Sequence, residues 1–143
     1  PQRGAGLDER ITAAFAAAGG PALLIGMDTP QVTPTGLDDA VGRLVADGAD
    51  AVLGQSEDGG FWALGLRTPT ARLTLGIPMS TAHTGADQLR RLLEGGCCVD
   101  ALGSLRDVDT MHDAIEVARL APWTRFAAAL SELGFGACTL ATA

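Results

Sequence analysis

Two short apolar runs separated by one amphipathic segment constrain the fold more than any other feature of this sequence. Residues 22–26 and 50–54 are mainly apolar and bounded by turn residues, and each predicts a strand that is buried on both faces. The segment between them, residues 34–48, has apolar side chains along one helical stripe, at Leu37, Val41, Leu44 and Val45. A strand, a helix and a strand at this spacing form a βαβ unit, whose usual product is a parallel sheet. We therefore predict an α/β fold.

The rest of the sequence extends this unit with further helices and strands. Leu7–Ala18 is rich in Ala and is followed by a Gly pair, which is typical of a helix and its end. Apolar patterns predict two more strands, at residues 61–67 and 97–102, and two more helices, at residues 81–94 and 122–133. The last of these helices has Pro122 at its first position. Another helix is predicted to start near Thr110, with Thr110 as its N-cap and Asp113 as the acid of a capping box.

The composition indicates one domain, residues 1–143, with a single core, because 47% of the residues are hydrophobic and 19% are charged. The formal net charge is −7, and the chain has ten Arg and no Lys. Without a basic stripe for a nucleic-acid backbone, we expect no nucleic-acid polymer as a partner. The lack of Lys also excludes a P-loop and Schiff-base chemistry for this chain.

Cysteine usage and hydropathy predict a cytoplasmic location. The cysteines are Cys97, Cys98 and Cys138, a spacing that fits neither a disulfide framework nor a zinc motif. We interpret them as buried apolar thiols in a reducing compartment. The longest uncharged run, residues 11–27, is broken by Gly and Pro and is therefore not predicted to span a membrane.

Acidic residues follow the predicted strands in three loops. Asp28 follows the first strand, which we predict to be the central one. Glu57 and Asp58 follow the second strand, and Asp107 and Asp109 lie in a loop that leads into a later helix. Ligands of open α/β sheets bind outside the carboxyl ends of the strands, so we expect these loops to share one site. Each acid alone fits a turn or a helix cap better than a function, but their concurrence favours a function.

Carboxylates that converge in one crevice repel one another unless a cation lies between them. Ligands that are all oxygen favour a hard cation, so we predict Mg²⁺ or Mn²⁺ held against substrate phosphates. The adjacent Gly59 and Gly60 would let a ligand approach the backbone closely and would offer free N–H donors. A plain Gly-Gly turn between two strands fits the same two residues equally well.

A serine hydrolase is a weaker alternative from a different class of enzyme. The glycines that bound residues 54–59 are one position too far apart for the G-x-S-x-G nucleophile motif. His83 could still pair in space with Ser56 or Ser80, so this alternative stays open at the level of sequence.

Four segments of the chain resemble, in this order, a bacterial family of uncharacterised glycosyltransferase-like proteins with the glycosyltransferase A fold. The segments read LLIGMDTPQVTP, DAVLGQSEDGGFWALGL, GIPMSTAHT and LRDVDT. More distantly, they are similar to the guanylyltransferases that act on phospholactate and on molybdenum cofactor. The resemblance covers about residues 6–129. It implies a three-layer α/β/α domain with a mostly parallel sheet, of the Rossmann-like, nucleotide-diphospho-sugar transferase type.

The resemblance also implies roles for the acidic loops. Asp28 and Asp109 would hold a divalent metal on nucleotide phosphates, with Asp107 as a substitute ligand or as support for the ligands. Glu57 and Asp58 would position or deprotonate an acceptor group. The residues implied to lie on the acceptor side are Gly59, Gly60, Ser80 and Thr81.

The function implied by the resemblance is metal-dependent glycosyl or nucleotidyl transfer, from a nucleotide-sugar or a nucleoside triphosphate to a small-molecule acceptor. Family members usually open with a strand and a Gly-rich loop that binds the nucleotide, and this sequence has no counterpart of that first βα unit. We therefore expect an exposed sheet edge, which favours a homodimer or pairing with another chain. The alternative is a noncatalytic nucleotide-binding or assembly module that keeps the fold without the activity.

Overall fold

Four strands form one sheet in the order β1-β3-β2-β4. The computed structural model describes residues 2–45 and 48–135. In this part of the chain the strands are β1 (Ala22–Ile25), β2 (Ala51–Ser56), β3 (Phe61–Leu66) and β4 (Val99–Leu105). The α-helices are α1 (Leu7–Ala18), α2 (Pro34–Val45), α3 (Thr84–Glu94), α4 (Met111–Leu120) and α5 (Arg125–Leu130). The predicted α/β class is confirmed.

The sheet is mixed, so the mostly parallel sheet that we expected is not observed. β3 runs antiparallel to both β1 and β2, whereas β2 and β4 are parallel neighbours. The loop from β2 to β3, residues 57–60, is too short for the crossover that parallel neighbours need. β3 therefore returns beside β2 as a hairpin and separates β2 from β1. As a result, β1 lies at an edge of the sheet and not at its centre, which corrects the sequence-based expectation.

The main hydrophobic core joins two helices to one side of the sheet. Its buried residues include Ile11 and Phe15 of α1 and Leu92 of α3. From the sheet, Leu53 of β2 and Leu64 of β3 belong to the same cluster. These two residues are cross-strand partners in the antiparallel ladder, so their side chains are on the same face of the sheet. α1 and α3 therefore cover this face together.

α2 is buried along a narrower stripe than its sequence predicts. Ala40 and Leu44, one turn apart, are fully buried, and Leu44 lies near Gly65 of β3. Val41 and Val45 of the predicted stripe are instead exposed. An i, i+4 pair of contacts is enough to dock a helix of this length, because Gly65 has no side chain to keep Leu44 away from the sheet. The three-layer arrangement as a whole stays a prediction.

Trp62 ties three strands together across the face of the sheet. Its indole packs directly over Gly54 of β2, where an added Cβ would collide with the ring. The indole N–H donates to the Gly103 carbonyl of β4 at 2.9 Å, which satisfies the one polar atom of a side chain that is buried. The ladder between β2 and β3 shifts register immediately after Gly54. Trp62 therefore fixes how the ends of β2 and β4 meet.

The last two helices differ in how well the sequence predicts them. At α4 the predicted capping box is confirmed: the Thr110 hydroxyl accepts from the Asp113 amide, and the Asp113 carboxylate accepts from the Thr110 amide. The final helix starts at Arg125 with Thr124 as N-cap, so the predicted start at Pro122 is wrong. Trp123 is 69% exposed and lies before the helix. The Thr124 side chain caps the helix at a point that Pro122 alone does not determine.

The exposure of the cysteines and the length of the helices relate to the predicted cytoplasmic location. Cys98 is exposed and Cys97 is partly buried, so the prediction of buried thiols is wrong for Cys98, while Cys138 lies outside the described residues. Both thiols lie at the entry to β4, where the chain leaves the Gly turn that follows α3. No helix in the described part of the chain has the length and apolar character needed to cross a membrane. A cytoplasmic location stays a prediction.

The contact between Trp62 and Gly54 generates a stability prediction. Gly54→Ala would force the buried indole out of its position and is expected to destabilise the protein by about 1–3 kcal/mol, the usual cost of overpacking. Gly42→Ala is the matched control, because Gly42 is an exposed position inside α2 with open space around it. That substitution should stabilise the protein by up to about 1 kcal/mol through helix propensity. Urea unfolding of both variants measures the difference, and equal stabilities would contradict the packing described here.

Candidate metal centre and cleft

Three loops meet at one end of the sheet because β1, β2 and β4 run in the same direction. Two backbone hydrogen bonds hold these loops in contact. The Val108 amide donates to the Asp28 carbonyl at 2.9 Å, which joins the loop after β4 to the loop after β1. The Glu57 amide donates to the Leu105 carbonyl at 3.0 Å, which joins the loop after β2 to the end of β4. The acidic residues are thereby brought to one site.

Asp28, Asp107 and Asp109 form a carboxylate cluster at this end of the sheet. Each offers one oxygen, and these oxygens all lie within 4.8 Å of one another. Asp28 and Asp109 are exposed, whereas Asp107 is partly buried. Asp107 and Asp109 are separated only by Val108 in the loop between β4 and α4. Both carboxylates can therefore reach the same space beside Asp28.

Asp107 is the member of this cluster whose carboxyl pKa is raised. Its partial burial raises the pKa of the Asp107 carboxyl, and the negative charges of Asp58, Asp109 and Asp28 raise it further, against a smaller lowering by a backbone hydrogen bond. Four carboxylates therefore act on one another here, and the ionised form of Asp107 is disfavoured. A cation at this position would remove that penalty.

The oxygen spacing of the cluster fits a small divalent cation. An octahedral ion with bonds of about 2.1 Å has neighbouring ligand oxygens about 3 Å apart and opposite ones about 4 Å apart. The oxygens of Asp28, Asp107 and Asp109 are within 4.8 Å of one another, so an inward movement would bring them to the spacing of one shared ion. The donor set is three carboxylates, which suits Mg²⁺ or Mn²⁺ and not a soft metal.

The cluster opens into a cleft of about 740 Å³ between α1, the end of β1 and the loop before α3. Asp58, Gly60, Ser80 and Thr81 line it together with the three carboxylates of the cluster. Apolar side chains form its other part, among them Leu7, Leu24, Ile25, Phe61 and Met79. The cleft therefore combines an acidic end with an apolar end, and most of the predicted site residues lie in it.

The backbone amides of the Gly-Gly pair donate to acceptors in their own loop, so they are not free donors for a ligand. The Gly59 amide donates to the Ser56 carbonyl at 3.1 Å, and the Gly60 amide donates to the Asp58 carboxylate at 2.8 Å. Gly59 has φ of +94°, and a Cβ there would collide with the Ala82 carbonyl. Glycine is therefore required for the loop to pack against the segment before α3. The plain-turn interpretation explains both residues, and Gly59 does not line the cleft.

Glu57 lies outside the residues that line the cleft. Its carboxylate is paired with Arg106, whose Nε and Nη2 both lie 2.8 Å from Glu57 Oε2. The acceptor role that the sequence predicts for Glu57 and Asp58 stays a prediction, but only Asp58 of the two faces the cleft. Sequence reasoning missed Arg106, although a cation next to an acidic loop is a visible signal.

Sequence reasoning did not anticipate the backbone conformation of Ser80 or the hydrogen bond of Gln31. Ser80 lines the cleft with φ of +58°, which is an uncommon conformation for a residue other than Gly. Gln31 donates through Nε2 to the Arg106 carbonyl at 2.5 Å and links the loops after β1 and β4. Ser80 follows Met79 in a segment with no Gly to mark the turn, and Gln31 carries no motif, so the sequence contains no signal for either.

The serine hydrolase alternative gains no support from the geometry. Among the described residues, His83 makes no side-chain hydrogen bond to Ser56 or to Ser80. Ser56 is buried at the end of β2, whereas His83 is exposed before α3. A nucleophile and its base need direct contact, and the described residues show none between these side chains.

The fold is that of a solved protein from Desulfovibrio desulfuricans G20 that is described as a proposed nucleotide-diphospho-sugar transferase. The TM-score is 0.85 at 24% sequence identity, and the match covers 93% of this chain. The chain spans 62% of the length of that protein. No curated protein matches the chain.

The chain belongs to the bacterial family described as "Uncharacterized protein conserved in bacteria (DUF2064)". The family model matches residues 1–81, which include β1, β2, β3 and the loops that carry Asp28 and Asp58. The resemblance to an uncharacterised bacterial family is thus confirmed. The more distant similarity to guanylyltransferases stays a prediction.

The raised pKa of Asp107 generates a prediction on the pH dependence of stability. Between 3.8, the ordinary carboxyl value, and the raised value, the folded state keeps a proton that the unfolded state has released. The stability of the protein in EDTA should therefore fall as the pH rises through this window. Asp107→Asn should be more stable than the unaltered chain above the window, and the difference should vanish below pH 3.8. Urea unfolding in EDTA across this pH range measures it.

Asp38→Asn is the matched control for this prediction, because Asp38 is an exposed residue of α2 that does not line the cleft. It should leave the pH dependence of stability unchanged. A destabilising effect of Asp107→Asn at neutral pH in EDTA would show that the carboxylate is favourable without a cation, contrary to the strain described above.

Proposed function

We propose that the chain is the metal-binding part of a transferase that uses a nucleotide-sugar donor and a small-molecule acceptor. The observation that carries this proposal is the group of three carboxylate oxygens within 4.8 Å of one another, at the acidic end of the cleft. Mg²⁺ or Mn²⁺ suits these ligands and would also coordinate donor phosphates. The fold shared with a proposed nucleotide-diphospho-sugar transferase supports the same class of reaction.

In this proposal, Asp28, Asp107 and Asp109 hold the cation between them. When bound, the cation supplies charge neutralisation for the phosphates of the departing nucleotide. The exposed Asp28 and Asp109 leave space on the solvent side for donor oxygens, whereas the partly buried Asp107 fixes the inner side of the site. The pKa of Asp107 is raised by burial and by its acidic neighbours, so its ionised form would be stabilised by a cation at this site.

Asp58 is the proposed group that positions or deprotonates the acceptor. It lines the cleft, and its charge is close enough to raise the pKa of Asp107. Its Oδ1 accepts from the Gly60 amide at 2.8 Å, which orients the carboxylate while Oδ2 has no hydrogen bond within the described part of the chain. Gly60, Ser80 and Thr81 would form the wall against which the acceptor binds.

Nucleotidyl transfer from a nucleoside triphosphate is the second chemistry that the same carboxylates could serve. The two reactions differ in the atom attacked, which is the anomeric carbon of the sugar in one and the α-phosphorus in the other. We favour glycosyl transfer because the apolar end of the cleft, formed by side chains such as Phe61 and Met79, offers a surface for the body of a sugar or its acceptor.

The direct test is calorimetric titration of the chain with Mn²⁺, followed by titration with nucleoside diphosphates in the presence of Mn²⁺. Asp28→Asn removes one of three ligands, so its affinity for Mn²⁺ should be at least about tenfold weaker, as even the loss of a supporting residue has this effect at metal sites. Asp38→Asn, which removes the same charge from α2, should leave the affinity within about twofold.

The outcomes separate the competing functions. Nucleotide binding that requires both Mn²⁺ and Asp28 supports the transferase. Mn²⁺ binding without any nucleotide binding favours the noncatalytic assembly module. If Mn²⁺ does not bind, or binds Asp28→Asn equally well, the metal assignment is wrong.

A further inference from the structure

Arg106 contacts all three loops that form the acidic end of the cleft. Two of its guanidinium nitrogens, Nε and Nη2, lie 2.8 Å from the same oxygen of Glu57, in the loop after β2. Its backbone carbonyl accepts from Gln31 Nε2 at 2.5 Å, in the loop after β1. Its third nitrogen, Nη1, lies 3.9 Å from the Asp113 carboxylate at the start of α4. Arg106 itself immediately precedes Asp107 in the loop after β4.

The pair with Glu57 is more than an exposed ion pair between two flexible side chains. The Glu57 backbone is already fixed to the end of β4, because its amide donates to the Leu105 carbonyl at 3.0 Å. Glu57 therefore makes two bonds to neighbouring residues of the chain. Its backbone amide donates to Leu105, and its carboxylate accepts from the guanidinium of Arg106. Because the backbone of Glu57 is already fixed, only the two side chains have to be ordered when the ion pair forms. The hydrogen bond to Glu57 also raises the pKa of Arg106 above its ordinary value.

Electrostatic repulsion explains why the loop of Asp107 needs such a contact. Asp28, Asp58 and Asp109 all act on Asp107 with the same sign of charge, which tends to drive the loop of Asp107 and Asp109 away from Asp28. The backbone hydrogen bond from Val108 to Asp28 opposes this separation, but a single bond of this kind is worth only about 1 kcal/mol. Two attachments beside Asp107 add to this bond: Gln31 donates to the Arg106 carbonyl, and the Arg106 guanidinium donates to Glu57.

We propose that Glu57 and Arg106 are positioning residues, whose ion pair fixes the start of the Asp107–Asp109 loop to the loop after β2 and thereby keeps the Val108 amide within reach of the Asp28 carbonyl. The metal-binding consequence rests on the function proposed above, whereas the contact between the loops does not. Glu57 then has no role as a base, and the acidic residue of the EDGG segment that faces the acceptor is Asp58 alone.

Arg106→Gln is the deciding variant because two explanations predict opposite results for it. If Arg106 acted only through its charge, removing a positive charge beside an acidic cluster would strengthen Mn²⁺ binding. If it positions the loop, Mn²⁺ binding should weaken by about tenfold, the lower end of what supporting residues contribute at metal sites. Arg106→Lys keeps the charge but cannot donate two bonds in the same fixed geometry, so it should give an intermediate affinity.

Hydrogen exchange of the Val108 amide provides a readout that needs no metal. This amide bonds to Asp28 across the two loops, so Arg106→Gln should make it exchange at least about tenfold faster in EDTA. Arg119→Gln is the matched control, because Arg119 makes a pair of the same length, 2.8 Å, with Glu116 of α4 and does not line the cleft. The control should leave both the Mn²⁺ affinity and the Val108 exchange rate unchanged within about twofold.

The results for Arg106→Gln support or overturn the proposal as follows. Weaker Mn²⁺ binding together with faster Val108 exchange supports it. Tighter or equal Mn²⁺ binding, or an unchanged exchange rate of Val108, overturns it. If the unaltered chain binds no Mn²⁺, the proposed metal function fails, and the Val108 exchange rate still decides whether the ion pair holds the loop.

Discussion

The hydrogen bond from the Val108 amide to the Asp28 carbonyl is the contact on which the candidate site depends. It joins the ends of β1 and β4, which are the two edge strands of the sheet and have β3 and β2 between them. No strand ladder connects β1 to β4 directly, so Asp28 and the Asp107–Asp109 pair are brought together by this bond and by the bond from Gln31 to the Arg106 carbonyl. The acidic cluster is thus a product of loop contacts across the end of the sheet.

Bringing the carboxylates together causes electrostatic repulsion, and the hydrogen bonds of the surrounding loops oppose it. Carboxylates brought this close disfavour their own ionised forms, as the raised pKa of Asp107 indicates. The chain compensates with ordered loops: Gln31 bonds the Arg106 backbone, and the EDGG turn uses both of its glycine amides internally. In the proposed function, hydrogen-bonded loops of this kind would lower the entropy that is lost when a ligand binds.

Because β1 lies at an edge of the sheet, its apolar side chains form part of the apolar end of the cleft. β1 pairs with β3 on one side, and the cleft is lined on the other by Leu24 and Ile25 together with residues of α1. An edge strand with apolar side chains is a surface that proteins usually cover. The chain spans 62% of the length of the Desulfovibrio protein that shares its fold. The expected covering of this edge, by a second copy or by another chain, stays a prediction.

The sequence by itself determined the elements and the acidic residues that the site would use. The periods of apolar residues and the capping residues are local, so Leu7–Ala18, the strands and the capping box of Thr110 could be predicted from neighbours in the chain. Only the tertiary structure decided that β3 separates β1 from β2 and that Glu57 turns to Arg106. These outcomes depend on contacts between residues far apart in sequence, which local patterns do not encode.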